Sequence, residues 1–188
     1  MRDLGDYRES LSGSLLVSHP NMTKDPFKET VILMSAHSDE DGAFGVIINR
    51  PLGKCLGEIR DEYATGLLAK VPLYSGGPVG VEELFLSAWK WDSESGTFKL
   101  FFGISPENAE SMLQDPEPGL EVRGFLGYAG WGRGQVENEL KLNAWVVSPI
   151  DGDAIGECQA VDLWLRILWQ IDPALVLRSS APDDPSRN

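Results

Sequence analysis

Apolar residues recur along the chain with two different periods, and the change from one to the other marks the elements. Short runs rich in β-branched and aromatic residues at 14–18, 30–34 and 43–49 predict strands. The polar stretch 38–42 between the last two is a turn signal, so they predict a hairpin. A second hairpin follows from strands at 83–89 and 97–102 separated by the polar turn 92–96. Residues 73–74 enter a glycine turn at Gly76, Gly77 and Pro78, and 120–128 and 145–147 read as further strands.

Helical spacing appears elsewhere. Ser105, Pro106 and Glu107 supply an N-cap, a first-turn proline and an acidic start, predicting a helix that reaches Gln114 and stops before Pro116. Shorter helices are expected at 56–63 and at 135–140, the second entered through a glycine-rich bend at 130–134. The clearest is 159–171. Val161, Trp164, Leu165, Leu168 and Trp169 fall at helical spacing, Leu163, Ile167 and Ile171 widen the apolar face, and Asp172-Pro173 ends it. A helix apolar over so much of its circumference is either central to the core or shared with a partner, and the core is the expectation. Hairpins interleaved with helices predict an α+β protein with a mixed sheet rather than a doubly wound parallel one. No linker or repeat divides residues 1–178, so one domain is expected. Residues 1–10 read as a short polar helix or loose arm, and 179–188 as a mobile polar tail.

Charge narrows the choice of partner. Sixteen Lys and Arg against 29 Asp and Glu leave a net charge of -13, with the bases scattered singly among acids. Direct nucleic-acid binding is therefore disfavoured, as is an anionic membrane surface. The opening residues hold acids and no apolar h-region, and no stretch approaches the roughly 18 to 20 apolar residues of a span. Cys55 and Cys158 stand apart without metal-ligand spacing, fitting reduced thiols in the cytosol.

Candidate chemistry is sparse. His19 and His37 are the only histidines, and G-x-S-x-G is absent. The glycines of 127–134 lack the Lys and Ser/Thr of a phosphate loop, and Trp131 would crowd a pyrophosphate. Asp39, Glu40 and Asp41 beside His37 do not have EF-hand spacing. We expect no catalytic set, no metal site and no cofactor. Polar and glycine motifs at strand ends instead suggest a binding surface: His37, Asn49, Arg50, Gly76, Gly77, Pro78, Trp131, Gly134 and Gln135.

In order, the distinctive segments are GSLLVSHPNM, DPFKETVILMSAH, GAFGVIINRPL, SGGPV, ELF and GYAGWGRGQVENEL followed by Trp145. Over residues 13–145 this resembles the AlgH/YqgE family of bacterial proteins. The family pattern carries over at all nine candidate surface residues and at Met22, Asp25, Pro26, Phe27, Thr30, Gly42, Gly45, Pro51, Gly127 and Gly130. It departs at Ser87, where members often show a histidine. The resemblance implies a mixed, largely antiparallel sheet curled into a flattened, barrel-like core with helices packed outside. A transcription-regulatory role has been proposed for the family, without an established biochemical activity.

Three readings follow. The first is a non-enzymatic cytosolic binding or regulatory protein, monomeric or weakly self-associating, that recognises a small molecule or a protein. The second is a hydrolase or transferase acting on an anionic small molecule, with Arg50 and glycine-turn N–H groups holding the anion and His37 as base. It requires those groups to converge. The third, a DNA-binding regulator, has no helix-turn-helix or basic recognition helix in the sequence to support it.

Overall fold

The computed structural model describes residues 10–179. The expected arm over 1–10 and tail over 179–188 fall outside them, apart from Ser10 and Ser179. Nine strands build one curled sheet: β1 (Leu15–Ser18), β2 (Val31–Ser38), β3 (Gly42–Ile47), β4 (Pro51–Cys55), β5 (Pro72–Ser75), β6 (Val79–Asp92), β7 (Thr97–Ile104), β8 (Leu120–Trp131) and β9 (Trp145–Ser148). Five helices accompany them: α1 (Pro106–Gln114), α2 (Gln135–Lys141), α3 (Gly152–Glu157), α4 (Ala160–Ile171) and α5 (Pro173–Ser179). The order along the sheet is β4-β5-β8-β3-β2-β1-β9, with β6 bonded to β8 and β7 to β6. Every pair is antiparallel except β5 with β8. This is the α+β half-barrel with flanking helices that the resemblance implied, and both hairpins, β2–β3 and β6–β7, form as expected.

Alternation along the strands separates two faces. Leu15, Val31, Leu33, Val46, Ile48, Tyr74, Trp89 and Phe125 share one continuous cluster with Leu163, Trp164, Ile167 and Leu168 of α4. Only the face around which a sheet curls lets strands so far apart in its order meet one helix. Burial of each α4 side chain there stabilises by about 2 kcal/mol. The indole of Trp164 also donates to the carbonyl of Ser18 at 2.8 Å. The opposite face divides into two clusters, one under α2 around Trp131 and Trp145, the other under α1 around Leu73 and Val122.

Among the described residues one charge is buried, and it lies within the inner face. Arg123 is sandwiched between the rings of Tyr74 and Trp89, its Cζ 4.9 and 4.6 Å from their centroids. Its Nη2 donates to Glu121 at 2.8 Å and to the carbonyl of Ile155 at 3.4 Å. A buried guanidinium held this way is a structural element, since removing its partners would strand the charge.

Several expectations are corrected. The single helix at 56–63 is two separate 3-10 turns, Leu56–Glu58 and Asp61–Tyr63, because each makes only a short local bond set before the chain turns. β8 runs on through Gly130 and Trp131, which pair with Phe44 and Ala43 and so belong to the sheet rather than to a bend. On α4 the apolar stripe is rotated: Val161 and Trp169 are exposed, and Leu163 and Ile167 face the core instead. β4, α3 and α5 were not expected from the sequence.

Candidate functional site

The sequence singled out nine surface residues, and the fold separates them into groups. His37 ends β2 beside the hairpin turn, opposite Ala43. Asn49 lies past the other end of β3, where its Oδ1 accepts from the Val31 N–H at 2.8 Å. Val31 and His37 are six residues apart on one strand, about 20 Å at ~3.3 Å per residue. Arg50 follows Asn49, so His37 and Arg50 sit at opposite ends of the β2–β3 hairpin.

At the hairpin end, His37 is committed on both nitrogens. Its side chain is 3% exposed. The backbone N–H of Leu11 donates to Nδ1 at 3.0 Å, so Nδ1 carries no proton and the proton resides on Nε2. That N–H points at Glu137 Oε1 of α2, 2.6 Å away. Burial pushes the Glu137 carboxyl up, but the His37 hydrogen bond, a backbone hydrogen bond and the charge of Lys141 more than offset it, leaving the group below its ordinary value. Asp39 completes a trio whose ligand atoms lie within 4.8 Å of one another. A metal would need the Nε2 lone pair, which this tautomer lacks, and shifting the proton to Nδ1 would drive it against the Leu11 N–H. The same bond removes the lone pair that a general base would use.

The bend after β8 is equally self-contained. Gly132 N–H donates to Gln135 Oε1 at 3.1 Å, and Gln135 Nε2 to Glu139 Oε1 at 2.9 Å. The other Glu139 oxygen accepts from both indoles, Trp131 at 2.9 Å and Trp145 at 2.7 Å. Phe27 packs against both rings. One carboxylate therefore bolts α2 to β8 and β9. Gly134, at φ +72°, provides the left-handed turn into α2.

At the far end, Asn49 uses its whole amide. Besides the Val31 bond, Nδ2 donates to the carbonyls of Glu29 and Ala160 at 2.9 Å each. Both acceptor residues have positive φ, 53° and 50°, so Asn49 fixes two conformations that non-glycine residues rarely adopt. Arg50 donates to the Lys28 carbonyl rather than to a carboxylate among the described residues. Gly76 and Gly77 serve the main chain. Gly76 accepts from Ile47 N–H and donates to the Leu126 carbonyl, both at 2.8 Å. A Cβ on Gly77 would lie 2.1 Å from the Tyr128 carbonyl carbon.

Beside the hairpin an aromatic groove of about 470 Å³ stays open, lined by Ala36, Asp41, Phe44, Val79, Tyr128 and Gly130 among others. Phe44 stacks on Tyr128 with ring centroids 4.6 Å apart, and Phe85 and Phe102 meet Phe44 edge-on. Gly130 leaves room for the Tyr128 ring, whose Cε2 would be 3.1 Å from an added Cβ. All four rings are partly exposed. Sequence reasoning missed Phe44 and Tyr128 because an alternating strand aromatic looks like core; it also missed Glu137 and Glu139, although both fall inside the quoted GYAGWGRGQVENEL segment.

Comparison with known proteins now adds a lineage. A family model described as AlgH-like matches residues 15–175. The chain belongs to the AlgH-like family. A UPF0301 protein of Streptomyces coelicolor is 33% identical over 189 residues, spanning 95% of this chain and 96% of its own length. A UPF0301 protein of Coxiella burnetii is 34% identical over 170 residues, spanning 88% and 89%. The AlgH-like fold recurs in the crystal structure of protein DIP2367 from Corynebacterium diphtheriae (TM-score 0.69, 23% identity, 94% of this chain and 95% of that one). It recurs also in the solution structure of AlgH from Pseudomonas aeruginosa (TM-score 0.66, 23% identity, 98% and 100%). These AlgH-like relatives carry names that assign no reaction. Among the described residues no helix is long and apolar enough to cross a membrane.

Proposed function

We propose that this AlgH-like chain is a non-enzymatic binding protein whose groove at the β2–β3 hairpin takes a flat apolar or aromatic group bearing a positive charge. The observation that carries this reading is the internal commitment of the polar signature. His37, Asn49, Trp131 and Gln135 spend their hydrogen-bonding groups on the chain itself, and Arg50, at the far end of the hairpin, turns one N–H to the Lys28 carbonyl. Stacked rings of Phe44 and Tyr128 and the exposed Val79 are what a ligand would meet, with the carboxylate of Asp41 at the rim. Rings with an adjacent carboxylate favour a flat cation, and the net charge of -13 adds to the attraction. The turn Gly76–Pro78 and the bend from Trp131 to Gln135 frame this groove in our reading, and Asn49 and Arg50 support the fold away from it. Any regulatory effect would run through the bound ligand or protein rather than through direct contact with nucleic acid. Unpaired Cys55 and Cys158 suit the reducing cytosol in which we expect it to act.

Tyramine is a suitable probe. In an amide-resolved NMR titration, shifts should concentrate at Phe44, Val79 and Gly130, and Tyr128→Ala should weaken binding about tenfold. The same ring carrying a carboxylate, 4-hydroxyphenylacetate, should bind more weakly. Shifts scattered over the surface, or indifference to Tyr128→Ala, would refute the groove assignment.

A further inference from the structure

Three strands have a partner on one side only among the described residues: β4, β7 and β9. Such edges invite pairing with another chain, and proteins guard them with brevity, proline, charge or bulges. β9 has four residues and is followed by Pro149. β4 begins at Pro51, holds Gly53 at φ +66° and pairs irregularly with β5. β7 has neither defence over Thr97–Phe102. Its sequence is TFKLFF, with no proline, no acid and a single charge, and its one irregularity comes later, at Gly103.

We infer that β7 is the interface at which two copies of this chain join, antiparallel, into one continuous sheet. A twofold axis through Leu100, perpendicular to the sheet, keeps each face in register with its own kind, because directly opposed residues share a face. Phe98 then stands opposite Phe102 of the partner copy, extending the half-buried inner face, and Leu100 stands opposite its own twin. On the outer face, Lys99 meets the partner copy's Phe101.

Lys99 is exposed, with its charge acting on Glu117 but no ion pair within 4 Å among the described residues, and Phe101 is 41% exposed, so the pairing sets a cation against each exposed ring. An axis through Lys99 would instead oppose two lysines and is disfavoured. Charge favours this place over others. Residues 95–106 contain no acid in a chain whose net charge of -13 makes most approaches of two copies repulsive. The groove beside Phe101 is balanced, with Lys90 and Lys99 against Asp115 and Glu117.

Sedimentation equilibrium on the full chain at micromolar concentration should report twice the 20.6 kDa chain mass. Phe101→Lys places two lysine pairs across the axis and should raise the dimer dissociation constant about tenfold. Adding Lys99→Glu converts those pairs to attractive ones and should restore it. Circular dichroism of each variant establishes that the fold is intact, which the exposure of both side chains favours. A 20.6 kDa species at all concentrations, or a dimer that Phe101→Lys leaves unchanged, would overturn the inference, as would failure of the charge swap to rescue association.

Discussion

Replacing Asn49 with Ala should cost about 4 kcal/mol of stability, the largest effect of any single polar change we expect in this protein. The substitution leaves the Val31 N–H without its acceptor in a fully buried position and withdraws a donor from both the Glu29 and Ala160 carbonyls. Each buried group so stranded costs about 1–3 kcal/mol, partly relieved where water can enter. Two left-handed residues lose the bonds that hold them, which adds to the loss. Asn49→Asp is the informative companion. It keeps an oxygen for Val31 but turns a second oxygen toward two carbonyls, so it should recover little of the loss. Urea unfolding followed by circular dichroism measures both; a change below about 1 kcal/mol would contradict the role given to this side chain.

Glu139→Ala should follow at about 3 kcal/mol. It deprives two largely buried indoles, Trp131 and Trp145, of their common acceptor and releases Gln135. Glu139→Gln retains one carbonyl oxygen and should lose about half as much. The near-ultraviolet dichroism of the tryptophans should change with the first variant, because Phe27 and both indoles pack as one group. Unaltered tryptophan signals with wild-type stability would show that the carboxylate is dispensable.

These two side chains also show where the sequence is legible and where it is not. Hairpins, the helix opened by Ser105-Pro106-Glu107 and the long apolar helix could be read because their signals are local. Ser105 does cap α1, its hydroxyl accepting from Asn108 N–H at 3.2 Å. β4 escaped because four of its five residues face solvent and show no alternation. α3 escaped because its six residues include two glycines; it is held by the Asp151 cap and by Trp91, whose ring lies where a Gly152 Cβ would be. Along α4 the period was visible but its phase was not, since Trp169 looks as apolar as Trp164 until the sheet decides which is covered.

The candidate site was harder for a different reason. The bonds that define it join residues far apart in the chain: His37 with Glu137, 100 positions on, and Asn49 with Ala160, 111 positions on. Family motifs marked the residues without revealing their partners. A histidine beside three acids can be a base, a ligand or a structural pin, and only the Leu11 N–H at Nδ1 decides among them. Convergence of His37 and Arg50, which the hydrolase reading requires, fails because the β2–β3 register puts them at opposite ends of one hairpin.

The most direct test of this account is the protonation of the His37 ring, read by long-range proton–nitrogen NMR correlations at neutral pH. We predict an unprotonated Nδ1 and a protonated Nε2, with the Leu11 amide protected from exchange. A protonated Nδ1 with a free Nε2 lone pair would contradict it, returning to the protein a side chain able to bind a metal or accept a substrate proton.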